Sequence, residues 1–96
     1  MDQARDAYIE KREAELEELD ARLDLLESEA EKADAEAKIG YSEQIYELRE
    51  KRDNLMAKIG ELKDASGEAW RGMKKGIEDA VIDFRTALDV AFTRFE

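Results

Sequence analysis

The chain contains no cysteine, no histidine and no proline. Without cysteine there is neither a disulfide nor a thiolate nucleophile, and without histidine the commonest general base is missing, as is the base of a serine triad. The two absences together remove the usual zinc ligands. Ser28, Ser42 and Ser66 stand isolated in charged or capping contexts. Strand alternation is also absent, so no glycine-rich phosphate loop follows a strand; Gly72 and Gly76 lie in a basic stretch within a helical pattern, where Gly76 reads as a close-packing position. Carboxylates are plentiful, and Glu27, Glu31 and Asp34 share a helix face. A di-iron bundle, however, needs Glu-x-x-His ligands that this chain cannot supply, so the face reads as solvated. The expectation is a protein that is not an enzyme, with no catalytic residues, no cofactor and no metal.

Long apolar runs are missing too. No stretch approaches the roughly 18 residues of a membrane span, and residues 1–18 are charged, so neither a signal peptide nor a transmembrane helix is expected and the location is read as cytoplasmic.

What is present is charge and periodicity. Of 96 residues, 44% are charged and 43% hydrophobic, and the net charge is −10. That charge disfavours nucleic acid and anionic membranes as partners. A chain this short makes one domain, 1–96, and buries little surface, so its stability must come from helix packing or oligomerisation. The acidity is uneven: residues 1–67 hold 20 acids and 11 bases, residues 68–96 only 6 and 5.

From Leu16 the apolar positions step by three and four through Leu19, Leu23, Leu26, Ala30, Ala33 and Ala37, the seam of a coiled coil. A second seam runs through Ile45, Leu48, Arg52, Leu55, Ile59 and Leu62, with Arg52 as a polar, register-setting member. The step Ala37–Tyr41–Ile45 keeps the stripe in phase between the two, which predicts one long helix over about 2–64; a hairpin turn near Gly40 is the alternative. A break is predicted at 64–67, with Gly67 in the left-handed region and Ser66 or Asp64 as a cap. The last helix, about 68–95, carries Trp70, Met73, Ile77, Val81, Phe84, Leu88, Ala91, Phe92 and Phe95 on its apolar face.

Charges beside the seams predict how they pair. With Leu16 at heptad position a, the e and g flanks are Glu13, Glu15, Asp20, Arg22, Glu27, Glu29, Asp34 and Glu36, acidic apart from Arg22; with Ile45 at a, they are Arg49, Lys51, Met56, Lys58 and Lys63. Antiparallel pairing then matches acid with base, setting Ala37 against Ile45, Ala33 against Leu48, Leu26 against Leu55 and Arg52 against Ala30. The architecture expected is all-α: antiparallel long helices in a homodimer, each core completed by the last helix, or else a monomeric three-helix bundle.

Several blocks carry a family resemblance: Arg5-Asp6-x-Tyr8, Ile45-x-x-Leu48-Arg49-x-Lys51-Arg52-Asp53, Glu61-Leu62-Lys63-x-Ala65-Ser66-Gly67-Glu68-Ala69-Trp70, Lys75-Gly76 and Arg94-Phe95. Nearly end to end, the chain resembles the small bacterial coiled-coil stress-response family first noticed in cyanobacteria and spread through proteobacteria. The resemblance implies a small cytoplasmic helical protein linked to stress responses, without enzymatic activity or cofactor. It departs from the family pattern at Gly40 and Gly60, where helix-favouring residues are usual. The function expected is interaction through oligomerisation and binding of an unidentified protein. The alternative is a lipid- or client-binding protein using the aromatic face of the C-terminal helix.

Overall fold

Apolar residues at three- and four-residue steps bury one stripe of a helix, and in the computed structural model, which describes residues 3–95, they form three helices. These are α1 (Gln3–Lys32), α2 (Ala35–Lys63) and α3 (Gly67–Arg94), packed up-down-up into a bundle with extents of 51 × 18 × 18 Å. No strand occurs among the described residues. Each of α1 to α3 has an acid in its first turn and a base in its last, Asp6 and Lys32, Glu36 and Lys63, Glu68 and Arg94, the sense that complements the helix dipole.

The long helix is broken, and not at Gly40. It ends at Lys32, and Asp34 caps α2, its carboxylate accepting from the Ala37 N–H at 2.9 Å. The physical reason lies in the stripe itself: between Leu26 and Tyr41 it holds only alanines, so a turn here gives up little burial. Gly40 instead lies inside α2 below the C-terminal aromatic, where an added Cβ would stand 3.5 Å from Phe95 Cε1.

The second break falls where expected with different geometry. Ser66 caps α3, Oγ accepting from Ala69 N at 3.4 Å, while Asp64 closes α2. Gly67 is the first residue of α3, and no described residue has a positive φ, so the left-handed closure is not used. Gly76 is not required for close approach either, since a Cβ there would meet only the mobile end of Lys58, at 3.6 Å.

Leu19, Leu23, Leu26, Ile45, Leu48, Leu55, Ile59 and Leu62 are buried against Ile77, Ala80, Val81, Phe84, Leu88 and Ala91 of α3. Leu16, Ala30, Ala33, Trp70, Met73, Phe92 and Phe95 are partly buried around them. Trp70 and Tyr8 meet edge to face at 5.7 Å at one end, with Arg5 over the indole at 4.2 Å and donating to Ala65 O at 2.6 Å. Tyr41 and Phe95 close the other end.

Candidate functional site

Turning at 33–34 rather than near Gly40 slides α2 along α1, and the ion pairs report the new register. Lys63 pairs with Glu13 at 2.9 Å, Arg49 with Glu27 at 2.6 Å and Arg52 with Asp20 at 3.2 Å. Arg52 therefore faces neither Ala30 nor Glu29, and Ala37 is exposed rather than opposite Ile45. Asp20 raises the Arg52 pKa above its usual value, outweighing the opposing effect of partial burial.

The two flanks of α1 also divide their work. Glu13, Asp20 and Glu27, on one side, reach α2. Glu15 and Arg22, on the other, reach α3, at Arg85 and Asp89. Arg22, the one base in the acidic run, is thus paired with a carboxylate of α3. In the same way Lys51 of α2 turns to Asp83 of α3 at 2.7 Å. Arg12 lies between, bonded to Glu15 at 2.6 Å and stacked over Tyr8 at 4.8 Å. Burial works against its charge, and the contacts with Tyr8 and Glu15 outweigh it, so its pKa is raised.

Most seam residues are consequently the interior of the bundle, with Leu16 and Arg52 partly buried at its edge and Ala37 exposed, and most of the candidate C-terminal binding face is interior too. Ile77, Phe84 and Leu88 are fully buried and Val81 is 2% exposed. Trp70, Met73, Phe92 and Phe95 are half-buried at its rims. Among the described residues no group of three or more carboxylates converges as metal ligands would. Glu27 and Glu31 still share a face of α1, but Glu27 is held by Arg49 and Asp34 lies beyond the end of that helix, where it caps α2. Among the described residues no helix is long and apolar enough to cross a membrane.

Among the described residues the large apolar side chains left outside are Leu25 on α1, Ile39, Tyr46 and Met56 on α2, and Ile82 and Val90 on α3. Ile39 and Tyr46, each 66% exposed, are seven residues apart on α2, two turns along one outward face. Ser42, Glu43, Glu47 and Glu50 surround Tyr46 in a shallow groove, which adjoins a second one lined by Glu50, Lys51, Asn54 and Asp83 between α2 and α3. Ile39 and Tyr46 stand off both seams and so outside the periodic pattern that marks the core. Their signal was present as two large apolar residues at heptad spacing off the seam. Leu25, 54% exposed, borders another groove with Glu29, Lys32, Tyr41, Phe92 and Phe95 at the far end of the bundle.

Searches of protein-family models, curated proteins and solved structures give no match to this chain.

Proposed function

We propose that the chain is a non-enzymatic interaction protein that works by helix pairing, binding a partner protein through the outer face of α2 and associating with itself as a homodimer. The observation that carries this reading is the pair Ile39 and Tyr46, which leaves large apolar side chains in water on a face where no core position requires them. Glu43, Glu47 and Glu50 flank Tyr46, so the complementary surface is a helix with an apolar strip and basic neighbours. The sequence likeness to the coiled-coil stress-response family supports placing this binding in a cytoplasmic stress response.

The test is capture of partners from stressed and unstressed cells by the native protein and by Ile39→Asp and Tyr46→Asp variants. Both substitutions fall on exposed positions and are expected to leave the circular dichroism spectrum and melting temperature unchanged. Partners retained by the native protein and lost by both variants support the face; capture indifferent to them overturns it. Light scattering at micromolar concentration checks the dimer, for which twice the chain mass of 11.0 kDa is expected.

A further inference from the structure

The turn between α1 and α2 is only two residues long, 33–34, and it is built from helix-compatible parts. It holds no glycine, and alanines stand at 33, 35 and 37, the residue with the highest helix propensity. Asp34 has φ −71°, already a helical value; only its ψ of 170° departs from the helix. Its carboxylate bond to the Ala37 N–H stands in for one of the helical hydrogen bonds that the turn interrupts.

The apolar stripe of the sequence runs on through the turn, although Ala37 is exposed in the closed bundle. Leu19, Leu23, Leu26, Ala30 and Ala33 lead on through Ala37 and Tyr41 to Ile45 and Leu48 in steps of three and four. At about 100° per residue, an unbroken helix over 3–63 keeps all of them on one face. A hairpin has no need of that agreement, because a turn lets the second helix rotate freely relative to the first.

We propose that residues 33–34 are a hinge, and that two copies of the chain exchange by straightening it. The α1 and α2 segments then form one helix, and α1 of each copy packs on α2 and α3 of the other, so that the core contacts and ion pairs of the closed bundle re-form between chains. This rests on the self-association proposed above and adds its route and its control. Straightening regains the backbone hydrogen bonds that the turn interrupts and costs the freedom of two separate molecules, so concentration and the Asp34 cap set the balance. The apolar groove beside Leu25 and Phe92 lies at the hinge end of the bundle, where the two copies meet.

Two substitutions push the hinge in opposite directions. Asp34→Ala removes the cap and puts a strong helix former in its place, and is expected to tighten dimerisation about a hundredfold. Ala35→Pro suits the closed form, since residue 35 opens α2 and follows the extended Asp34. In a straight helix the same proline removes a hydrogen bond and meets the carbonyl of Glu31, so this variant is expected to remain monomeric.

Light scattering reads the mass, and a spin-label pair reads the hinge. The chain has no cysteine, so Glu18→Cys and Ala57→Cys, both at exposed positions, can be labelled selectively in an Asp34→Ala background and diluted with unlabelled protein. An intrachain distance of about 60 Å is expected for the straightened helix at 1.5 Å per residue. The closed hairpin gives a distance set by the 18 Å width of the bundle plus the labels. A dimer that keeps the short distance overturns the hinge and leaves self-association standing. Absence of a dimer for Asp34→Ala up to millimolar concentration overturns both. Dimerisation of Ala35→Pro equal to the native chain also overturns the hinge.

Discussion

Tyr41 stacks on Phe95 with ring centroids 3.9 Å apart and planes within 15°, fastening the end of α3 to the second turn of α2. The Arg94 guanidinium lies 5.3 Å from the same Phe95 ring. Replacing Phe95 with Ala removes the stack while leaving the buried interior intact. A loss of about 1–2 kcal/mol is expected, seen as a fall in melting temperature of roughly 5–10 °C by circular dichroism.

Phe84 is a harsher test of how far α3 belongs to the fold. It is fully buried between the seams of α1 and α2, and Phe84→Ala leaves a cavity that three rigid helices close poorly. About 3–5 kcal/mol is expected to be lost in urea unfolding, a large share of the roughly 5–15 kcal/mol that stabilises a domain of ordinary stability. A loss below about 1 kcal/mol would show that α3 is dispensable to the core and free to cover lipid or client surface.

Gly60 and Gly40 are both interior to α2, and neither is demanded by its backbone. An added Cβ at Gly60 meets nothing within 4 Å, so Gly60→Ala is expected to stabilise the protein by about 0.5–1 kcal/mol. At Gly40 the Cβ comes into ordinary contact with Phe95, and Gly40→Ala is expected to gain a similar amount. Thermal melts of the two variants decide; destabilisation by Gly40→Ala would mean that the Tyr41–Phe95 stack cannot yield even slightly.

Arg52 provides a test of register. Its bond to Asp20 predicts a coupling of about 0.5–1 kcal/mol in a double-mutant cycle with Asp20→Asn and Arg52→Met, reduced at high salt because both side chains are partly exposed. The same cycle between Arg52 and Glu29 is expected to give none. Coupling to Glu29 instead of Asp20 would restore the register centred near Gly40.

The helical class, the buried faces and the chain break near Ser66 were legible in the sequence because each is set locally. Leu19 to Leu26, Ile45 to Leu62 and Ile77 to Leu88 repeat at the helical period, and Ser66 followed by Gly67 and Glu68 is a helix start whatever lies around it. Ile39 and Tyr46 were readable in principle by the same spacing but stand off the seam, so a search for the core passes over them.

The residues alone therefore determined three amphipathic segments without disulfide or histidine chemistry, and an acidic run that had to find bases. Tertiary structure decided where the chain turns and which base each acid meets. The alanines around Asp34 are helix formers, and periodicity carries on unbroken through them. Only the balance between a cap with little burial and a helix with little to bury places the turn at 33–34. That choice slides α2 against α1, sends Asp20 to Arg52, and leaves Arg22 facing Asp89 of a third helix whose position no local pattern encodes.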